Sequence, residues 1–245
     1  MSDPATPPTT APPWASLSSD TLLHQQLGLP GAAGLSCQAL SVLEQQGLAC
    51  PPLPASLDRA VRKRQREYLT GRLCACSALR KAGYPHDIYP AMKEDRLPAW
   101  PDGWLGSISH SGDYAMAVAA AQTRCHALGI DIQQRVALKV LMDIQSMIAQ
   151  PTELTQLGEL DVTARLLLIF SGKESLYKAL YPQVRQIKEF DAAELVYADA
   201  QTLQFRLTHD WSDRWKADSR ISVRYVVFDE YVVTATCLSG DHSTD

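Results

Sequence analysis

Glu174 and Lys178 lie four residues apart in the run LLLIFSGKESLYKAL, so on a helix they share a face. Set at helical intervals, Leu166, Ile169, Leu176 and Leu180 form one side, and Phe170, Tyr177 and Tyr181 another. Apolar groups then cover most of the circumference, which predicts a largely buried helix with Glu174 between Phe170 and Tyr177. A carboxylate in that setting needs a partner. Lys178 can serve as a simple i,i+4 ion pair, and a metal ion or a ligand can serve instead. The segment LGIDIQ raises the same question. Its alternation puts Leu128, Ile130 and Ile132 on one face of a strand and Asp131 and Gln133 on the other. The apolar neighbours predict a central strand, in which Asp131 requires a partner and a hard cation held by oxygen ligands would supply one.

Positive charge gathers upstream. Arg59, Arg62, Lys63, Arg64, Arg66 and Arg72 fall in the first half of one helical stretch, and Lys93 and Arg96 follow in a loop. Such a cluster is open to three readings: a solvated helix face, a nucleic-acid patch, or an anion pocket for a phosphorylated ligand. Thin aromatic interleaving and a formal net charge of −4 weigh against nucleic acid. Ser109 and His110 stand side by side in SISH. A general base normally reaches its nucleophile from elsewhere in the chain, so this pair does not make a serine hydrolase. A hydrogen-bonded structural histidine and a phosphate contact remain.

The elements that must position these groups follow from periodicity and punctuation. A helix is expected from about 57 to 82, with Asp58 in its first turn and Gly83 after its end. Pro98 and Pro101 make KEDRLPAWPDGW a loop. YAMAVAAA and LGIDIQ are expected strands, and CQALSV a weaker one. Residues 138–160 are helical with a break at Pro151, after which Thr152 or Thr155 could cap the next piece. A further helix runs from about 161 to 180, and ISVRYVVF and YVVTATCL form a hairpin around Asp229 and Glu230. The pattern is α+β. A division near residue 124 gives two halves, 17–124 and 125–240, each with a long helix and antiparallel strands.

Bulk properties bound the rest. A chain of 245 residues, 46% hydrophobic and 20% charged, can bury a core and is not globally disordered. Residues 1–16, rich in Pro, Thr and Ala, are expected to be a disordered tail without a secretory pattern. No apolar run approaches the ~20 residues that span a bilayer, and the six cysteines contain no CxxC pair. A cytoplasmic protein with reduced cysteines and no membrane partner is the expectation.

In combination and order, GSISHSGDYA, GIDIQ and FSGKESLYKA resemble the signature segments of the enterobactin- and surfactin-type 4′-phosphopantetheinyl transferases. RKRQREYLTGR and DRLPAWPDGWLGS are similar to the enterobactin-type branch, and the likeness spans roughly residues 59–182. The resemblance implies two similar α+β subdomains with the active site at their interface. It implies Mg²⁺ held by Asp131 and Glu174, with coenzyme A phosphates bound by Arg64, Arg72, Lys93 and Arg96. Ser109 and His110 would hold phosphate oxygens of the nucleotide, and Lys178 the pyrophosphate. The implied reaction moves phosphopantetheine from coenzyme A to a serine of an apo acyl- or peptidyl-carrier protein, in a monomer, with Glu174 and Lys178 as catalytic groups. Gln133 stands where the family usually has an acidic residue. Its amide oxygen can still coordinate magnesium or hold a water, with one negative charge fewer. The competing readings are a magnesium-dependent nucleotide hydrolase and a non-catalytic module that binds a carrier through its arginine-rich helix.

Overall fold

The structure, a computed structural model, describes residues 20–239 apart from positions 46, 47, 49 and 159. The expected tail at residues 1–16 lies outside the described residues. The first half of the chain contributes α1 (Asp20–Gln26), β1 (Gly34–Ala39), α2 (Arg62–Lys81), β2 (Trp104–Ser111) and β3 (Tyr114–Ala121). The second contributes β4 (Ala127–Gln134), α3 (Leu138–Ile148), α4 (Pro151–Thr155) and α5 (Val162–Val184), then β5 (Ala193–Ala198), β6 (Thr202–Leu207), β7 (Arg220–Val227) and β8 (Tyr231–Leu238). All strand pairs are antiparallel: β1-β3-β2 in one sheet and β4-β8-β7-β6-β5 in the other.

The α+β expectation holds, and alternation along the strands explains the layering. On β3, Ala115, Ala117 and Ala119 pack against α2 with Cys74, Ala78 and Leu79. The intervening Tyr114, Met116, Val118 and Ala120 meet Leu128, Ile130 and Ile132 of β4 and Val233 and Ala235 of β8. The opposite face of the second sheet packs on α5 through Leu166, Ile169, Leu176 and Leu180. The order is therefore helix, sheet, sheet, helix, with one apolar layer between the sheets. Small residues let the helices approach closely. A Cβ on Gly34 of β1 would stand 1.9 Å from the Ala78 carbonyl oxygen of α2, and one on Gly129 of β4 would stand 1.9 Å from that of Ser175 of α5. The same close approach in both halves reflects their likeness.

Several boundaries differ from the sequence expectation. α2 starts at Arg62, because residues Ala55–Leu57 form a short 3-10 turn and the Gln65 amide donates to the carbonyls of Leu57 (3.0 Å) and Asp58 (3.1 Å). Asp58 and Arg59 thus precede the helix. Its end is as expected: Gly83 at φ 94° lets Tyr84 N–H reach the Leu79 carbonyl at 2.9 Å. β1 stops at Ala39 and leads into a 3-10 turn, so CQALSV is only half strand. Pro151 opens α4 rather than merely ending α3, and the Glu153 carboxylate accepts from Gln150 N–H at 2.8 Å. Neither Thr152 nor Thr155 is the cap. α5 is capped by Asp161, which accepts from Ala164 N–H at 3.1 Å, and runs through Pro182 to Val184.

β4 is an edge strand of its sheet, not a central one, and among the described residues pairs with β8 alone. Its free edge is covered by β2. Ser109 and Ser111 side chains accept from the backbone N–H groups of Ile132 (3.4 Å) and Gln134 (2.9 Å), and Ser107 donates to the Ile130 carbonyl (3.5 Å). Each serine meets the residue 23 positions on. The alternation in SISHS therefore joins the two sheets through side chains, while Ile108 and His110 point toward α2.

Candidate active site

A cleft of about 880 Å³ opens between the two halves. Arg64, Arg72, Lys93, Arg96, His110 and Lys178 all line it, joined by Tyr177, Tyr181 and Arg185 from the far end of α5. α2 places its share by helical repeat: residues 64, 68 and 72 are each one turn apart and share a face. Arg72 is 6% exposed and its guanidinium lies 4.3 Å over the Tyr68 ring. Its Nε–H is buried with no hydrogen-bond partner among the described residues. Burial pushes the Arg72 pKa down, which reports how poorly this cation is solvated. An anion entering the cleft would relieve both. The remaining basic residues of the stretch stay out of the cleft: Arg66 pairs with Glu44 at 2.9 Å, as a solvated face does.

His110 accepts from Arg64 Nη1 through Nε2 at 2.7 Å, and its Nδ1 lies 3.6 Å from Glu67 Oε2. A guanidinium only donates, so the ring is neutral in this arrangement. Burial lowers the His110 pKa, Glu67 opposes that, and Arg64 and Lys178 add to it. Lys93 and Arg96 sit on a tight turn closed by Arg96 N–H to the Lys93 carbonyl (2.9 Å) and Lys93 N–H to the Leu97 carbonyl (2.9 Å). Arg96 takes φ 66°, a left-handed conformation that completes the turn.

At the inner wall, Asp131 is fully buried and holds a bonded cluster. Its Oδ1 accepts from Ser109 Oγ (2.8 Å) and from Lys178 Nζ (2.5 Å), and its Oδ2 from the Gln133 amide (2.9 Å). Lys178 also donates to Ser109 Oγ at 3.0 Å. Lys178 thus pairs across to β4, not along the helix to Glu174. That leaves Glu174 half-buried with no hydrogen bond or ion pair to another described residue. Its pKa is raised, first by burial and further by the nearby Asp131 charge, while Lys178 pulls it down. Ser109, Asp131, Gln133 and Glu174 lie behind the cleft lining, with Lys178 belonging to both groups.

The structure thus brings together every candidate site residue of the sequence, in two joined clusters: cations around a cleft, and carboxylates at its inner end. Among the described residues, no group of three or more His, Cys, Asp or Glu is placed to hold a metal ion. The oxygen donors available are two carboxylates and one amide. Three contributors were not singled out from the sequence. Tyr68 could have been found from its spacing between Arg64 and Arg72. Glu67 could have been found from its i,i+3 spacing to Arg64, but its contact with His110 and that of Arg185 with Asp95 lie 43 and 90 residues away and left no local signal.

The family model described as 4′-phosphopantetheinyl transferase N-terminal domain matches residues 53–120, and that of the 4′-phosphopantetheinyl transferase superfamily matches residues 127–236. Enterobactin synthase component D of Escherichia coli (strain K12) is 39% identical over 137 residues, covering 55% of this chain and 64% of that protein. 4′-Phosphopantetheinyl transferase Svp of Streptomyces mobaraensis is 36% identical over 166 residues, covering 65% of this chain and 66% of that protein. 4′-Phosphopantetheinyl transferase PptT of Mycobacterium tuberculosis is 31% identical over 159 residues, covering 62% and 67%. The chain thus spans about two thirds of the length of the curated relatives it matches.

Proposed function

The chain belongs to the 4′-phosphopantetheinyl transferase superfamily, and from that premise we propose that it moves 4′-phosphopantetheine from coenzyme A to a serine of an apo carrier protein, releasing 3′,5′-ADP. The observation that carries this reading is the cation-lined cleft, with Arg72 left unsatisfied in it, abutting the pair Asp131 and Glu174. A protein of net charge −4 that concentrates cations in one cleft is built for a polyanion of small size. A coenzyme with a pyrophosphate and a ribose phosphate is such a ligand.

In this reading Arg64, Arg72, Lys93 and Arg96 bind the phosphates, with Ser109 and His110 at phosphate oxygens. Lys178 stays by the pyrophosphate and offsets charge on the leaving ADP oxygen. The oxygen donor set and the unpartnered Glu174 carboxylate fit Mg²⁺, which Asp131 and Glu174 would hold with Gln133 completing the set. When bound, the ion would neutralise pyrophosphate charge. Glu174 also accepts the proton of the attacking serine hydroxyl, because a carboxylate has two oxygens and only one is needed to hold the ion. The serine oxygen attacks the β-phosphorus in line and the 3′,5′-ADP oxygen leaves. We further propose that the protein works as a monomer in the cytoplasm. Among the described residues no helix is long and apolar enough to cross a membrane.

The deciding experiment incubates the protein with coenzyme A, Mg²⁺ and apo carriers from fatty-acid, polyketide and peptide synthetases, and weighs the carriers. A mass gain of one phosphopantetheine is expected on at least one. Coenzyme A binding without any gain would favour a binding module, and free phosphate would favour a hydrolase. A pH effect accompanies binding. His110, held below its ordinary pKa in the free protein, gains a phosphate partner that favours its charged form. Its pKa then rises on binding, so coenzyme A binding takes up a proton and tightens as pH falls from the bound toward the free value. Calorimetry in buffers of different ionisation enthalpy should report that uptake, and His110→Gln should remove it.

A further inference from the structure

Asp95 has the wrong sign for its place. It lines the cleft on the turn that carries Lys93 and Arg96, the two cations assigned above to phosphate. A bare carboxylate there would repel the ligand its neighbours attract. The counter-ion comes from the other half of the molecule. Arg185, at the end of α5, donates through Nη1 to Asp95 Oδ2. The second carboxylate oxygen accepts from Leu97 N–H at 3.1 Å, so both oxygens are engaged.

Arg185 is itself held in an unusual conformation. It takes φ 56° and ψ 25° at the C-cap of α5, the left-handed position that glycine occupies most easily. A long side chain stands there instead. Its Nε donates to the Pro182 carbonyl at 3.0 Å, which fixes the stem and aims the guanidinium across the cleft mouth. We propose that Arg185 is a positioning residue for coenzyme A: acting through Asp95, it masks the charge of that carboxylate beside Lys93 and Arg96. The inference rests on the phosphate-binding role proposed for that turn. Exposed ion pairs add little to stability, so its loss should register in binding and not in folding.

The test measures coenzyme A binding by calorimetry, with KM and kcat for transfer, on the full chain and its variants. Asp95→Asn keeps the oxygen that accepts from Leu97 and removes only the charge. Arg185→Gln is expected to weaken binding and raise KM about fivefold with kcat and melting temperature nearly unchanged, the size expected of one exposed charge interaction. Asp95→Asn alone should bind nearly as the wild type, and the double variant should recover most of the loss. Asp102→Asn in the Arg185→Gln background should not, although Asp102 also lines the cleft. Three results would overturn the inference: wild-type binding by Arg185→Gln, no recovery in the double variant, or equal recovery through Asp102. A wild type that fails to bind coenzyme A overturns the underlying reading and this inference with it.

Discussion

Glu174→Gln is expected to abolish carrier modification and, in metal-free buffer, to raise the melting temperature. The first effect follows from the role proposed for the carboxylate. Losing a general base typically lowers the rate by about 10²- to 10⁴-fold, and here a metal ligand would be lost as well. The second follows from its surroundings. Glu174 is half-buried, the Lys178 ammonium one turn away is taken by Asp131, and the Asp131 charge repels it. Glutamine of the same size removes that uncompensated charge. A gain of about 1 kcal/mol would appear as about 2–4 °C at this chain length. Opposite signs in activity and stability are the mark of a site group and not of a structural one. Gln133→Ala should only weaken transfer, because Asp131 keeps its bonds to Ser109 and Lys178. Near-wild-type transfer by both variants would sink the site assignment.

A stability loss of about 3–5 kcal/mol, or roughly 10 °C in melting temperature, is expected for Glu153→Ala. Lys173 precedes Glu174 in the same motif yet points away from the cleft. Its side chain is 4% exposed, and its ammonium meets Glu153, 1% exposed, at 2.8 Å and also donates to the Ile148 carbonyl at 2.8 Å. Glu153 in turn accepts from the backbone N–H groups of Gln150 (2.8 Å) and Leu195 (2.7 Å). The network pins α3, α4 and β5 onto α5. Burial pushes the Lys173 pKa down and Glu153 opposes it. Without Glu153 the ammonium keeps one carbonyl in an apolar core, and Leu195 N–H loses its acceptor. Pairing Glu153→Gln with Lys173→Met keeps an acceptor for one of the two backbone N–H groups and removes both charges. That double variant should recover part of the loss in thermal and denaturant unfolding, the part owed to the unpaired ammonium. A Glu153→Ala melting temperature within about 2 °C of wild type would mean the buried pair is not what holds these elements.

Periodic features read directly from the chain. α5 has buried apolar groups on nearly all sides, as its run of Leu, Ile and Phe requires, and β4 turns Asp131 away from Ile130 and Ile132 as its alternation requires. Helix starts read less well, because they depend on loops folding back. Gln65 reaching Leu57 and Asp58 moves the start of α2 to Arg62, and nothing in a local pattern announces it. The edge position of β4 was likewise invisible. Its apolar run is explained by the packing of two sheets face to face, not by a strand flanked on both edges.

Residue type and spacing determined which groups stand together on one element: Glu174 with Lys178, Asp131 with Gln133, and Arg64 with Arg72. They determined the family likeness for the same reason, since a motif is a set of local spacings. Which groups meet between elements was decided only by the tertiary structure. Lys178 could pair with Glu174 one turn away, yet the approach of β4 to α5 gives it Asp131 at 2.5 Å and leaves Glu174 without an ion pair among the described residues. The serines of β2 could have been surface residues, yet the meeting of two sheet edges turns them into links. Charge pairing depends on distance through space, and distance through space is what a linear pattern does not hold.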